Sequence, residues 1–379
     1  MTTLSKLFVR GFKSIAQAEV EFGARTILIG PNGAGKSNLL GALRLLPMLA
    51  SKSLGLFTQR AGGAAALLFR GPRITSEIEL QVSFVHEQPD RGYKENSYRA
   101  RLGRTANDAF LFLEERAGYR TDPGHDFDWV DLGAGHLESK VSDEDHPTVK
   151  AVHACLRRIN FFHFHDTSVD SALRTPSRME DSKYLRSDGS NLAAYAWALA
   201  ESTSDEDRAA WRRIMGLVRQ VAPFVKALTP ATGGNGMVQL DWVDSQDDFY
   251  GPFHLSDGTL RAIALIVGLA QPSQRLPSFV SIDEPELGLH PAALEVLSGL
   301  VRSLNGRCQV LLSTQSTELL DFFEAGEVVV VERATEGAMP GAANQGSVFR
   351  RLDTEHLAEW LAEYSLSALY KRNLLGGRP

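Results

Sequence analysis

Apolar and polar residues alternate strictly at residues 77–85, and this pattern predicts a half-buried antiparallel strand. The apolar positions that would face a core are Ile78, Leu80, Val82 and Phe84. Residues 98–102 and 110–113 are predicted to be neighbouring strands, and residues 7–22 read as two short strands around a Gly-Phe-Lys-Ser turn. The first lobe is therefore predicted to be rich in antiparallel β-structure.

A helical pattern covers the middle of the chain, residues 191–228, with an acidic break at residues 202–207. Further strands are predicted at residues 159–164, 237–243, 279–282, 309–313 and 328–331, with helices in the intervals. This order predicts an α/β fold whose later strands join one sheet. We expect a single composite domain (1–379) with an N-lobe (1–158), a switch strand with a helical lobe (159–230) and a C-lobe (231–379).

Composition is typical of a soluble globular protein, with 43% apolar and 23% charged residues. The net charge of −6 argues against a generally basic nucleic-acid-binding surface but leaves room for a local basic groove. No apolar stretch is long enough to span a bilayer, and the N-terminus lacks the pattern of a signal peptide. The two cysteines give neither a disulfide framework nor a zinc spacing. We therefore expect a cytoplasmic protein with no membrane partner.

The strongest chemical signal is Gly-Pro-Asn-Gly-Ala-Gly-Lys-Ser at residues 30–37, between an apolar run and a helical pattern. This segment matches the motif G-x-x-x-x-G-K-[ST], which indicates a phosphate-binding loop when it follows a strand and precedes a helix, as it is predicted to do here. Glycines let the backbone wrap around a phosphate, and a helix N-terminus attracts negative charge. Lys36 is predicted to contact the β- and γ-phosphates, and Ser37 to ligate Mg²⁺. The predicted nucleotide-binding residues are Asn32, Gly33, Ala34, Gly35, Lys36, Ser37 and Asn38.

A second element of the same chemistry is an apolar run, residues 279–282, that ends in two carboxylates. At the carboxyl end of a strand, Asp283 is placed to complete the Mg²⁺ shell. Glu284 is then placed to polarise a water molecule for attack on the γ-phosphate. The alternative reading is a strand followed by a solvated acidic turn.

A third element is Leu-Ser-Asp-Gly-Thr at residues 255–259, directly before an apolar helix. A hydroxyl, a glycine and a helix N-terminus form another anion site, which is explained most simply as docking on the nucleotide of a second copy. The residues expected to act across that dimer are Ser256, Gly258 and Thr259. The alternative is an ordinary capped helix start with Ser256 as the N-cap.

Together these elements resemble the ATPase heads of the ABC superfamily. Residues 30–37 resemble the Walker A loop, residues 255–259 the signature motif and residues 282–285 Walker B. Val-Arg-Gly-Phe-Lys-Ser at residues 9–14 and Glu-Pro-Glu-Leu-Gly-Leu-His-Pro at residues 284–291 are similar to the RecF, SMC and OLD branch. Within that branch the segments that resemble a family of small bacterial predicted ATPases are 164–168, 187–194 and 373–379.

The resemblance implies an ABC-type P-loop NTPase head with an antiparallel β subdomain and a helical lobe inserted between Walker A and the signature motif. It implies neither the long coiled coil of SMC proteins nor a fused nuclease. The implied cofactors are ATP and Mg²⁺, and the implied assembly is a homodimer that sandwiches ATP. Lys36, Glu284 and Gln315 are the implied catalytic residues.

The chain departs from the superfamily pattern at three places. Asp257 stands where the second glycine of the transporters' signature usually lies. Gln315 replaces the usual histidine after the strand that follows Walker B, and because an amide carries no charge we expect slow hydrolysis. The usual switch glutamine is absent from the strand at residues 159–164, which leaves His165 or Asp166 as the switch candidate.

Other polar groups allow two readings each. His163 and His165 would share one face of a strand, as zinc ligands do, although aromatic neighbours favour packing. One basic set would bind phosphate or form a solvated strand edge: Arg91, Lys94, Arg99, Arg101 and Arg104. A second set would give a basic surface beyond the switch: Arg174, Arg178, Lys183 and Arg186.

Two functions follow from the resemblance. The first is an ATP-driven dimerising ATPase that works on DNA, in repair, maintenance or anti-phage defence. The second is a slow ATP-dependent scaffold that holds a partner effector, such as a nuclease or toxin. A transporter subunit is the weakest reading, because the chain shows no surface for membrane domains.

Overall fold

The structure is a computed structural model that describes residues 2–86, 92–233, 235–334 and 346–377. The chain divides into two units. Unit 1 consists of Met1–Asn160, Ser278–Ser281 and Gln309–Pro379, and unit 2 of Phe161–Pro277 and Ile282–Cys308. The three lobes expected from the sequence stay a prediction. Arg91 and the last two residues of the segment 373–379 lie outside the described residues.

The strands, in chain order, are β1 (Thr2–Phe12), β2 (Ile15–Glu21), β3 (Arg25–Ile29), β4 (Glu77–His86), β5 (Glu95–Arg104), β6 (Phe110–Arg120), β7 (Asp128–Gly133), β8 (Ile159–Phe162), β9 (Ser177–Arg178), β10 (Val225–Thr232), β11 (Met237–Asp244), β12 (Phe249–Tyr250), β13 (Phe279–Asp283), β14 (Gln309–Thr314), β15 (Val328–Arg333) and β16 (Ser347–Arg351). The helices are α1 (Lys36–Ala50), α2 (Leu54–Arg60), α3 (Pro147–Leu156), α4 (Leu192–Ala200), α5 (Asp205–Val221), α6 (Asp257–Leu269), α7 (Pro291–Ser303), α8 (Thr317–Leu320), α9 (Thr354–Leu361) and α10 (Leu366–Lys371).

The first sheet of unit 1 is antiparallel, with the strand order β2-β1-β4-β5-β6-β7. It contains the strands predicted from alternation, and the apolar positions of β4 are buried as expected. Arg99 and Arg101 lie on β5, which is a central strand because it pairs with both β4 and β6. The sequence reading of these arginines as a strand edge is therefore wrong.

Charges on this sheet compensate one another across neighbouring strands. Arg99 pairs with Glu79 at 2.7 Å, and Arg101 pairs with Glu77 at 2.8 Å. Glu114 of β6 lies 3.7 Å from Arg99 and 3.6 Å from Arg101. Because each guanidinium already faces carboxylates, these pairs support a structural role for the two arginines rather than phosphate binding.

The second sheet has the order β16-β15-β3-β14-β13-β8. β3 lies between β14 and β15 and is parallel to both, whereas β16 is antiparallel to β15. The strands predicted near residues 159, 279, 309 and 328 all occur here, although β8 ends two residues earlier than expected. β8 and β13 begin in unit 1 and end in unit 2.

Unit 2 contains a small sheet, β10-β11-β12 with β9 on β11, together with helices α4 to α7. The predicted helix to residue 228 is wrong at its end, because α5 stops at Val221 and β10 begins at Val225. Pro223 explains the stop, since proline drives the preceding residue out of the helical region. The predicted acidic break is shorter than expected: residues 205–207 form the first turn of α5, where carboxylates complement the helix dipole.

Candidate functional site

The phosphate-loop candidate in unit 1 runs from the end of β3 to the start of α1. Gly33 and Gly35 adopt φ angles of +77° and +123°, in the left-handed region that favours glycine. A Cβ at Gly30 would overlap the carbonyl oxygen of Val331, and one at Gly35 would overlap the hydroxyl of Ser347. The loop is therefore held closely between β15 and the start of β16.

Helix α1 begins at Lys36 without a side-chain cap and without an acidic residue in its first turn. The Lys36 side chain is 6% exposed, and its ammonium donates to the carbonyl oxygens of Gly30 at 2.5 Å and Pro31 at 3.1 Å. Ser37 is exposed at the helix start. An uncapped helix N-terminus beside a buried cation is suited to an anion.

Three residues outside the motif hold this loop, and the sequence reasoning did not assign them this role together. Asn38 donates from Nδ2 to the Ser14 hydroxyl at 2.6 Å. The Ser14 and Ser347 hydroxyls are 2.7 Å apart, and the backbone N–H of Ser347 donates to the carbonyl of Ser14 at 2.8 Å. Ser14 belongs to the Gly-Phe-Lys-Ser turn seen in the sequence, whereas Ser347 carried no signal there.

A cleft of about 530 Å³ lies beside the loop. Its described lining includes Lys13, Arg70 and Arg333 but no carboxylate. Arg333 donates from Nε to the carbonyl of Gly33 at 3.0 Å, which links the cleft directly to the loop. In a chain with a net charge of −6, this is a locally cationic site.

Gln315 also belongs to unit 1. β14 and β3 are parallel, and Thr314 pairs with Ile29. Gln315 and Gly30 therefore leave the sheet at the same edge. Gln315 is exposed, and Ser316 after it caps α8 by accepting a hydrogen bond from the N–H of Leu319.

In unit 2, Asp283 ends β13 and Glu284 begins the following loop. Glu284 has a φ of +44°, a left-handed conformation that is uncommon for a residue with a side chain. Such backbone strain concentrates at functional sites, and both carboxylates are half-buried. The Nε2 atom of His165 lies 3.0 Å from the carbonyl oxygen of Asp283, so this switch candidate contacts the main chain of the acidic loop.

Asp166 is exposed and forms a local turn. One of its carboxylate oxygens accepts hydrogen bonds from the backbone N–H of Ser168 at 3.0 Å and from the Ser168 hydroxyl at 2.6 Å. These hydrogen bonds lower the pKa of Asp166.

The rings of His163 and His165 pack with centroids 4.3 Å apart. Across the described residues, no three His, Cys, Asp or Glu side chains are grouped to hold a metal ion.

The signature turn, residues 255–259, is the start of helix α6 in unit 2. Ser256 is the N-cap, and its hydroxyl oxygen accepts from the backbone N–H of Thr259 at 3.3 Å. The two hydroxyls of Ser256 and Thr259 are 2.8 Å apart. Gly258 lies against the backbone of Gly288, where a Cβ would overlap the carbonyl oxygen. The turn thus meets the loop that follows Glu284.

Two buried arginines, which the sequence reasoning did not place in this site, surround the signature turn. Arg261 donates to the carbonyl oxygens of Phe164 at 2.8 Å and His165 at 2.7 Å, and also to that of Leu287. Burial lowers the pKa of Arg261, while the carboxylates of Asp257 and Glu284 oppose this shift. Arg174 is 5% exposed, so the expectation that it belongs to a basic surface is wrong.

Within unit 1 the structure thus brings together the phosphate loop, the cationic cleft and the sheet edge that carries Gln315. Within unit 2 it brings together Asp283, Glu284, His165 and the signature turn.

No helix in the described part of the chain is both long and apolar enough to cross a membrane.

Comparison with known proteins places these features in a family. A family model described as "AAA domain, putative AbiEii toxin, Type IV TA system" matches residues 25–321. Over 49 residues the chain is 53% identical to the DNA replication and repair protein RecF of Synechocystis sp., a match that spans only 13% of this chain and 13% of that protein.

Two solved structures share the fold. An Smc head bound to the C-winged helix domain of ScpA has a TM-score of 0.60 at 15% identity, covering 93% of this chain and 99% of that one. An Smc head with an extended coiled coil, bound to the C-terminal domain of ScpA derived from Pyrococcus furiosus, has a TM-score of 0.61 at 15% identity. That likeness covers 96% of this chain and 99% of the other. The predicted ABC-type P-loop fold and the predicted resemblance to RecF and SMC heads are therefore confirmed. The chain belongs to the family "AAA domain, putative AbiEii toxin, Type IV TA system".

Proposed function

We propose that this protein binds ATP with Mg²⁺, dimerises around the nucleotide and hydrolyses it slowly. The proposal rests on the start of α1. There Gly33 and Gly35 have positive φ angles, Lys36 is buried, and the helix N-terminus has no side-chain cap. The cationic cleft beside the loop has room for the remainder of a nucleotide.

Each motif residue has a chemical role in this proposal. Lys36 contacts the β- and γ-phosphates, and the hydroxyl of Ser37 and the carboxylate of Asp283 are hard oxygen donors that fit Mg²⁺. When bound, the metal neutralises charge on the phosphates. Glu284 orients and deprotonates the attacking water. Gln315 donates a hydrogen bond near the γ-phosphate without supplying charge, which accounts for slow hydrolysis.

The signature turn acts on a second copy. Ser256, Gly258 and Thr259 present a helix N-terminus that would close on the γ-phosphate held by the partner's loop. Two copies would then enclose two ATP molecules, and hydrolysis would release them. The support for this arrangement is that one chain contains two separate glycine-containing helix starts that are candidate anion sites, residues 30–37 and 255–259.

For the biological role we propose DNA maintenance or anti-phage defence. The name of the partial RecF relative supports the first, and the family description, which mentions a toxin system, supports the second. The competing candidate is an ATP-dependent scaffold for a protein effector. It is favoured by Gln315 and by the Smc heads of similar fold, which were solved bound to domains of ScpA.

Nucleotide binding and hydrolysis test the chemistry. We expect calorimetry to show ATP·Mg²⁺ binding that weakens about 100-fold in Lys36→Ala, since a charge-assisted contact is lost. Glu284→Gln should bind ATP but release phosphate at least about 100-fold more slowly. On size-exclusion chromatography with light scattering, ATP should convert Glu284→Gln from monomer to dimer. Equal ATP binding by wild type and Lys36→Ala would contradict the proposal.

The role is tested by steady-state ATPase activity with linear, circular and single-stranded DNA. Stimulation by DNA supports the DNA-directed role. No response to any DNA, together with a protein that co-purifies stoichiometrically only in ATP, supports the scaffold.

A further inference from the structure

Asp257 lies in the signature turn, where a negative charge opposes the proposed binding of the partner's triphosphate. It is the first residue of α6, and its side chain is 70% exposed. In the absence of nucleotide, a carboxylate there complements the positive end of the helix dipole. It would, however, repel a triphosphate that approaches the same helix end.

Arg174 supplies the compensating charge from a buried position. Its side chain is 6% exposed, and it donates from Nη2 to the Asp257 carboxylate at 2.7 Å. Its other donors hold the carbonyl oxygens of Thr167 at 2.9 Å, Pro252 at 2.6 Å and Leu255 at 3.1 Å. The guanidinium is therefore fixed by the carbonyl oxygens of Pro252 and Leu255, where the chain enters the signature turn, and by that of Thr167. Its fork geometry suits several acceptors at once.

The same arginine connects the turn to the switch candidate. Thr167 lies two residues after His165, whose ring nitrogen contacts the main chain of Asp283. Arg261 donates to the carbonyl oxygen of His165 at 2.7 Å. Movement of the acidic loop around Asp283 would thus reach Arg174 and the charge of Asp257 through a short hydrogen-bonded segment.

We propose that Arg174 and Asp257 are a positioning pair that sets the charge and orientation of the signature turn, so that the turn accepts the partner's triphosphate only while Arg174 neutralises Asp257. The inference rests on the proposed ATP-sandwich dimer. It explains the aspartate at this place in the motif: Asp257 penalises closure whenever the segment that carries Arg174 is displaced, which makes dimerisation responsive to the nucleotide-sensing loops.

A double-mutant cycle in the Glu284→Gln background tests the pair, with the dissociation constant of the ATP-bound dimer measured by sedimentation. Arg174→Met should weaken the dimer about tenfold, because Asp257 is then uncompensated. Asp257→Gly should dimerise at least as well as the parent. In the Asp257→Gly background, Arg174→Met should change the constant by less than about twofold. The effect of Arg174→Met should also shrink as salt is raised.

Three further measurements keep the result interpretable. ATP affinity of the dilute monomer should stay within about twofold in every variant, since the pair does not belong to the phosphate loop. Arg174→Lys retains the charge and should recover part of the dimer affinity, with melting curves confirming that each variant folds. Asp205→Asn breaks an exposed ion pair on α5, Asp205 with Arg208 at 2.6 Å, and should leave dimerisation unchanged.

Equal weakening by Arg174→Met with and without Asp257 would overturn the pairing, because the arginine would then act only through the carbonyl oxygens it holds. A parent that binds ATP but stays monomeric would overturn the proposed dimer and the inference together. The two failures are therefore distinguishable.

Discussion

Replacing Gly258 with alanine would place a methyl group against the backbone of Gly288. A Cβ there would lie 3.0 Å from the carbonyl carbon of Gly288 and closer still to its oxygen. Neither atom is the end of a flexible side chain, so the signature turn or the loop after β13 must shift. Overpacking of this kind costs about 1–3 kcal/mol, and the better helix propensity of alanine returns up to about 1 kcal/mol.

The net expectation for Gly258→Ala is a loss of about 1–2 kcal/mol of unfolding free energy. For a protein of this size that lowers Tm by roughly 1–3 °C. Gly299→Ala is the matched control, because Gly299 lies inside α7 and a Cβ there meets nothing within 4 Å. The control should gain about 0.5–1 kcal/mol and melt slightly higher than wild type.

Differential scanning calorimetry of the three proteins measures the change, and ATP-dependent dimerisation gives the functional readout. Gly258→Ala should lose the dimer but keep ATP binding, since the phosphate loop is untouched. A Gly258→Ala protein that melts at or above wild type, while Gly299→Ala rises as expected, would refute the close approach of the two loops.

Two further predictions concern groups away from the proposed site. Glu115 is fully buried and accepts hydrogen bonds from Tyr98, His136, Ser139 and the N–H of Lys140. Glu115→Ala should cost about 3 kcal/mol or more and lower Tm by roughly 4 °C or more, because several buried donors lose their acceptor. A change of Tm below about 2 °C would contradict this. Burial raises the pKa of Cys155 to about 12, and Cys308 is 2% exposed; a thiol reagent at pH 8 should therefore label neither cysteine until denaturant is added, and rapid labelling of the native protein would contradict the burial.

Features that are built from consecutive residues could be predicted from the amino-acid sequence alone. The loop at residues 30–37 is recognisable because its glycines, Lys36 and Ser37 must follow one another for a backbone to wrap a phosphate. The alternation at residues 77–85 predicted β4 because successive side chains of a strand face opposite sides. The RecF and SMC resemblance and the fold class followed from these local motifs and are confirmed.

Pro223 accounts for the end of α5, but the strand that follows it, β10, shows where local pattern no longer predicts structure. Residues 222–228 are apolar enough to continue a helix, yet Val225 and Leu228 pair with Asp244 and Trp242 of β11. A strand is chosen by its hydrogen-bonding partner, and that partner lies further along the chain. The same reason explains why Arg99 and Arg101 of β5 were wrongly predicted to lie at a strand edge: β5 is a central strand because it also pairs with β6.

The tertiary structure alone decided which residues support the proposed site. Arg174 reaches Asp257 across 83 positions, and Ser347 reaches Ser14 across 333. No periodicity or motif links residues that far apart, because only the folded backbone sets their distance. The sequence by itself thus determined the acidic strand end and the family resemblance, and it predicted the phosphate-binding chemistry. The fold decided that a buried arginine compensates Asp257 and that a distant serine closes on Gly35, since burial and hydrogen-bond geometry exist only once the chain is packed.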